Sequence, residues 1–461
     1  MSVKAAFAVP HPPMLLPEIG RGQERKVNET LKAYDKIALE IAELRPETIL
    51  LISPHSVLYA DYIHISPGKG ASGDFLKFGE DSVSFRVDYD EELVSEITAL
   101  TAEQGIYAGT LGEKQKTLDH GTMVPLYFIN KRYTDYKLIR ISISGLSPRE
   151  HYAFGRCVQE AVRSLARDVV VVASGDLSHC LSEEGPYHYT EEGPEFDRIV
   201  VEALQKGDFL TLLRLEEGFC QLAGECGLRS FLIMAGILDG LAVEPAMLSY
   251  EGPFGVGYAV ASFHVKGEDP SRQYEEIFER EELDHLAQRK AGEDELVQLA
   301  RLSLEHYLKE RKELSHTPPL SDEWKNRRAG VFVSLKKDGK LRGCIGTTGP
   351  TTGSIAEEII QNAVSAGVGD PRFEPVRPEE LSRLVYSVDV LGDSEPIASK
   401  DMLDPARYGI IVESGRKKAL LLPNLDGIKT IDQQLAVVLQ KAGIGADENY
   451  TMRRFEVVRH L

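Results

Sequence analysis

Apolar residues fall along the first half of the chain in two rhythms. Short continuous runs, Thr48–Ser53 (TILLIS) and Val169–Ala173 (VVVVA), end in turn-forming residues, as buried strands do. Leu138–Ser144 (LIRISIS) alternates more strongly. Gln23–Leu44 and Asp90–Glu103 carry apolar residues three and four apart, the spacing of amphipathic helices. Strands without polar alternation need cover on both faces. Residues 1–266 therefore read as α/β, with a mixed, mostly parallel sheet flanked by helices.

The rhythm changes at residue 267. Residues 267–290 are densely charged (GEDPSRQYEEIFEREELDHLAQRK) and read as a linker with a short solvated helix. Residues 291–461 read as a second, α+β unit with an antiparallel sheet. Its amphipathic helix starts at Glu293–Leu308. Val331–Ile345 predicts a hairpin turning at Asp338-Gly339. Gly353–Val368 predicts a helix and Leu384–Leu391 a strand, and Gly409–Val412 and Ala419–Leu422 flank a turn at Ser414-Gly415.

Composition narrows the class. Of 461 residues, 42% are hydrophobic and 27% charged, which excludes disorder as a whole-chain reading. The net charge of −19 argues against a nucleic-acid or anionic-membrane partner, because phosphate repels such a surface. No apolar run reaches the ~20 residues of a bilayer span, and the prolines in the opening segment break a signal-peptide core. The cysteines, 5 in all, show no CxxC repeat, which points to a reducing cytoplasm.

The candidate chemistry lies in the histidines. His151, His264, His285, His306, His316 and His460 lie in the charged linker or on ordinary helices and surfaces. Three others follow apolar runs: His11 in AVPHPPMLLP, His55 in LISPHS and His179 in SGDLSH. His120, in LDHGTMVPL, sits at a loop-to-helix junction. Open parallel sheets bind ligands beyond the carboxyl ends of their strands, and imidazole is the commonest transition-metal ligand. A third ligand is available in AGECGLRS, where Glu225 and Cys226 are neighbours. Two histidines with a carboxylate suit non-haem Fe(II); two with a thiolate suit zinc or copper. Adjacent residues point apart, so one of the pair is expected at the metal. Asp176, three residues before His179, either orients that ring or forms the turn after its strand.

Together the segments PHPPMLLPEIG, SPHS, DHGTMVPL and SGDLSH resemble the class III extradiol dioxygenase superfamily of the LigB type, to which Memo-like proteins are related. The resemblance covers about residues 1–265. It implies His11, His55 and Glu225 as metal ligands, with Cys226 as the Memo-like alternative. It implies His179 as acid/base and His120 on the substrate and oxygen side. The implied cofactor is Fe(II), with zinc or another divalent metal as the alternative. The implied reaction is opening of a catechol-like small aromatic substrate by O2. A zinc hydrolase on the same residues is a third reading.

The second unit, with LRGCIGTTGP, GSIAEEIIQNAVSAG and DPRFEPV, resembles the AMMECR family. Both units in one chain resemble the family called AmmeMemoRadiSam system protein A, named for co-occurrence with a Memo-like protein and a radical SAM enzyme. That implies a radical SAM protein as a partner, and relatives that pair leave a homodimer open. Arg342, Gly343 and Cys344 offer either a thiol activated by a neighbouring cation or a small strand residue packed close between glycines. With no metal-ligand spacing here, the unit reads as a binding or partner module.

Overall fold

The computed structural model describes residues 3–112, 114, 117–314, 319–425, 427–445 and 448–461. His316 lies outside them. The chain divides into two compact units between Arg280 and Glu281.

The first unit is built on six strands: β1 (Val3–Val9), β2 (Thr48–Ser53), β3 (Lys137–Ser142), β4 (Val169–Ser174), β5 (Leu241–Glu251) and β6 (Tyr258–Glu268). Their order across the sheet is β3-β2-β4-β1-β6-β5. The four strands from β3 to β1 are mutually parallel, and β6 and β5 extend the edge antiparallel. The VVVVA and TILLIS runs are buried along their whole length because both faces are covered. Ala6, Ala8, Leu50, Ile52, Val169 and Val171 face one core; Ala5, Phe7, Val9, Leu51, Val170 and Val172 face the other. Each such Val or Leu contributes roughly 1.5–3 kcal/mol on burial.

Helix α1 (Asn28–Leu44) buries Thr30, Ala33, Tyr34, Ile37, Ala38 and Ile41, the expected three- and four-residue rhythm. It begins later than its apolar pattern, because Gln23–Val27 forms a 3-10 turn and Val27 leaves the helical region. Helix α2 (Glu91–Glu103) is capped by Asp90, whose side chain accepts from Leu93 N–H. The expected loop-to-helix junction begins helix α3 (His120–Ile129), where Asp119 is the N-cap. The β5–β6 hairpin has no clear counterpart in the sequence pattern, since β5 is partly buried on both sides and contains Pro245.

Register sets the site. Val9 lies abreast of Ser174, Ile52 abreast of Ala173 and Ser53 abreast of Ser142. The parallel strands therefore end level, and the residues that follow them emerge along one edge.

The charged stretch forms helix α4 (Tyr274–Ala291), longer than expected and without a buried residue. Among the described residues, the second unit has two antiparallel four-stranded sheets. The predicted hairpin is β7 (Val331–Lys337) and β8 (Lys340–Gly346), with Asp338 (φ 51°) and Gly339 (φ 76°) in the left-handed region, as a two-residue turn demands. Helix α5 (Ile355–Val368) packs on it. A Cβ on Gly343 would stand 2.1 Å from the Ala366 carbonyl oxygen, so strand and helix touch backbone to backbone. Arg342 does not serve the thiol. It grips the Glu380 carboxylate at 2.9 and 3.0 Å and the Glu374 carbonyl at 2.8 Å. Cys344 instead receives the Ser334 hydroxyl, and its N–H donates to Asp370. The cation that touches Cys344 is Arg372, which donates to its carbonyl at 3.1 Å and is paired with Asp370 at 2.7 Å.

Candidate metal centre

Beyond β1 the chain runs Pro10-His11-Pro12, and the Tyr34 hydroxyl of α1 donates to the Pro10 carbonyl. The His11 N–H donates to Asp176 Oδ1 at 2.8 Å. Its ring Nδ1 lies 2.9 Å from Ser174 Oγ, the last residue of β4. That hydroxyl donates its one proton to the Gly121 carbonyl at 2.6 Å, so it accepts from His11 Nδ1–H. The network thereby leaves the Nε2 lone pair of His11 facing inward. Metal-binding histidines are held in this way through their other nitrogen.

His55 comes from the turn after β2. Its Nε2 stands 2.9 Å from His11 Nε2. Two such nitrogens face each other only across a proton from His55 or a shared cation. Cys226 Sγ is 3.7 Å from His11 Nε2. One atom from each of His11, His55 and Cys226 lies within 4.8 Å of the others. This is the spacing of donors that share one ion at ~2.0–2.3 Å bonds. The residues suit a soft or borderline transition metal.

Glu225 is not brought to the histidine pair. Its carboxylate turns back to accept the Leu228 N–H at 2.7 Å, at the start of helix Leu228–Ile237. That contact satisfies one of the free N–H groups every helix start carries. The thiol next to it, not the carboxylate, is the group that lies close to both histidines. Asp176 accepts the His11 backbone N–H, with Oδ2 3.9 Å from His11 Nε2, and lies in one close group with His179 and Cys226.

His179 lies beside the donors, with Asp176, His179 and Cys226 forming a second close group. Its ring stacks on Tyr187, centroids 5.6 Å apart, and its Nε2 is buried without a hydrogen-bond partner among the described residues. His120 packs against His55 at 4.1 Å and against Phe78 at 5.3 Å. Burial, and then the neighbouring imidazoles, push His11 well down, and the same causes push His120 to about 4. Burial lowers His55 and His179 too. All four rings are therefore neutral at pH 7, the form that ligates metals and accepts protons. Burial and then the charge of Asp176 raise the Cys226 thiol. Coordination to a cation is what would deprotonate it.

Two glycines allow the loops to meet. A Cβ on Gly175 would lie 2.2 Å from Gly227 Cα, so the SGDLSH and ECG turns touch directly. A Cβ on Gly121 would lie 2.4 Å from Ser53 Oγ and 3.4 Å from the His55 ring. Ser174, Tyr34 and Asp119 went unnoticed in the sequence. Only Asp119 had a local signal there, an N-cap residue three before Thr122, whose N–H it accepts at 3.0 Å.

The His179 loop is braced by Asp197, from helix Glu192–Lys206. One oxygen accepts Ser178 N–H and the other the Tyr250 hydroxyl, each at 2.8 Å. Burial raises this carboxyl to about 7 from its ordinary value of 3.8. The unfolded chain releases the proton near 3.8, whereas the folded chain keeps it to about 7. Stability from this group is therefore greatest at low pH. It falls by about 3–4 kcal/mol as pH rises from ~4 to ~7, then levels off. Asp197→Asn, which can still accept from Ser178 and donate to Tyr250, is expected to remove that slope. Urea unfolding at pH 5 and pH 8 checks it; identical pH dependence in both proteins would refute the assignment.

Among known proteins, the family described as the catalytic LigB subunit of aromatic ring-opening dioxygenase matches residues 5–261, and AMMECR1 matches residues 297–460. Protein CA_C1420 of Clostridium acetobutylicum is 43% identical over 100% of this chain and 99% of its own length. A Thermotoga maritima protein is 43% identical over 37% of this chain and 98% of its own. The crystal structure of the uncharacterized protein PH0010 of Pyrococcus horikoshii is 35% identical, covering 36% of this chain and 88% of that one, with a TM-score of 0.33. That of JW3007 of Escherichia coli K12 is 16% identical over 56% of this chain and 99% of that one, at 0.40. The chain belongs to the LigB family, the superfamily of ring-opening dioxygenases, and carries an AMMECR1 domain after its LigB domain.

Proposed function

We propose that the first unit is a non-haem, metal-dependent dioxygenase of the extradiol type, acting on a small catechol-like diol with O2. The observation that carries this reading is the convergence of His11 and His55, with the unpartnered nitrogen of His179 beside them. Fe(II), held by His11, His55 and Cys226, would acidify a bound diol hydroxyl and bring it together with O2. His179, neutral at pH 7, accepts the remaining diol proton at Nε2 and returns it later. Tyr187 stacks on His179 and Phe78 packs against His120. Five free thiols and the acidic surface fit a cytoplasmic protein with no nucleic-acid partner.

The test is anaerobic loading with Fe(II), addition of a catechol panel, and measurement of oxygen uptake. His179→Ala is expected to slow uptake by ~10²–10⁴-fold while the metal stays bound. Loss of metal in that variant would instead make His179 a ligand.

The sulfur of Cys226 favours a second reading, a Memo-like metal-binding protein working with a radical SAM partner and without dioxygenase turnover. Thiolate suits zinc or copper better than a carboxylate does. Tight metal retention with no oxygen uptake across the panel is the outcome that would select it.

A further inference from the structure

His11 and His55 are held in different ways. The His11 ring is fixed through its Nδ1 by Ser174. His55 is exposed, and among the described residues none hydrogen-bonds its Nδ1. Metal-binding histidines are almost always oriented by a second partner. For His55 the hold comes through the backbone. Its N–H donates to Ser53 Oγ at 3.2 Å, and the Ser53 hydroxyl donates to Asp119 Oδ1 at 2.5 Å. Asp119 also accepts the Thr122 N–H at Oδ1 and the Thr122 hydroxyl at Oδ2, 3.0 and 2.9 Å away. One carboxylate thus ties the end of β2 to the start of α3, whose first residue is His120. Behind it lies Arg140 of β3, a wholly buried guanidinium 3.7 Å from Asp119 Oδ2. Arg140 donates to Ser66 Oγ at 2.7 Å and to the Thr117 carbonyl at 2.9 Å.

We propose that Asp119 is a positioning residue of the metal centre: through the Ser53 hydroxyl it fixes the turn that aims His55 Nε2 at His11. The proposal rests on the reading of His11 and His55 as ligands. Buried ion pairs often add no more stability than apolar packing would. Arg140 instead keeps this carboxylate in one place, and the exposed His55 inherits that order.

The test is anaerobic titration of the full chain with Co(II), followed by visible absorption. Asp119 itself is a poor target, because its loss breaks a helix cap and an ion pair at once. Ser53→Ala and Thr122→Val each remove one hydroxyl that donates to Asp119, but only Ser53 leads on to His55. Ser53→Ala is expected to weaken Co(II) binding by ~10–100-fold, as loss of an outer partner of a ligand does, and to shift the visible bands. Thr122→Val is expected to keep affinity within a few-fold of wild type, with an unchanged spectrum. Thermal melts of both variants separate positioning from stability. Wild-type affinity and spectrum in Ser53→Ala overturn the proposal. So do equal losses of affinity in both variants that follow their melting temperatures. A wild-type chain that takes up no Co(II) would overturn the ligand reading of the histidines, and this proposal with it.

Discussion

Cys226→Ser is expected to lose its metal, and Glu225→Gln to keep it. The two residues are neighbours, yet they do different work. Cys226 Sγ faces His11 Nε2 at 3.7 Å, whereas Glu225 accepts the Leu228 N–H. Loss of a partner hydrogen-bonded to a ligand already costs 10–100-fold in affinity, so loss of a ligand should cost at least ~100-fold. Glutamine keeps an oxygen for Leu228 and should change affinity only a few-fold. Metal content after anaerobic loading and desalting, read by elemental analysis, decides between them. A Glu225→Gln protein that comes out empty beside a loaded Cys226→Ser protein would return the carboxylate to the ligand set.

Gly175→Ala carries the other large effect. The added methyl would start 2.2 Å from Gly227 Cα, and backbone cannot yield as a flexible side chain can. Overpacking of this kind costs ~1–3 kcal/mol. For a unit of this size that is a fall of roughly 2–12 °C in Tm. The strain falls between the turn of Asp176 and His179 and the turn of Cys226, so metal affinity should drop with it. Gly218→Ala is the control: it lies in helix Glu217–Ala223, where a Cβ meets nothing within 4 Å. A methyl there should be neutral or stabilise by ~0.5–1 kcal/mol. Equal melting of both variants would mean that the loops tolerate separation.

The strand framework and the histidines were readable because both are local signals. TILLIS and VVVVA end where strands end, and His55 and His179 follow within a few residues. The parallel-sheet rule then placed them on one edge. The choice between Glu225 and Cys226 was not readable, because it depends on which side chain the next helix recruits as a cap. Nor was the His11 tautomer. It rests on Ser174 and Gly121, whose positions are known only once β1 and β4 lie abreast. Neither reading of Asp176, a turn residue or a partner of His179, included the His11 N–H that its carboxylate accepts. In the second unit, Arg342 sits two residues from Cys344, yet Glu380, 38 residues downstream, claims it.

The parallel order of the strands also has a consequence for biogenesis. His11 and Cys226 are separated by 215 positions, and the His11 ring is set by Ser174, 163 positions away. At ~5–20 residues per second on the ribosome, the first imidazole emerges roughly ten to forty seconds before the thiol. Throughout that interval the nascent chain offers no more than scattered imidazoles to passing ions. Tight capture has to wait until nearly the whole first unit has been translated and has collapsed. Retained metal would therefore certify a first unit that finished folding, and copies truncated or misfolded within it would leave the ribosome without it.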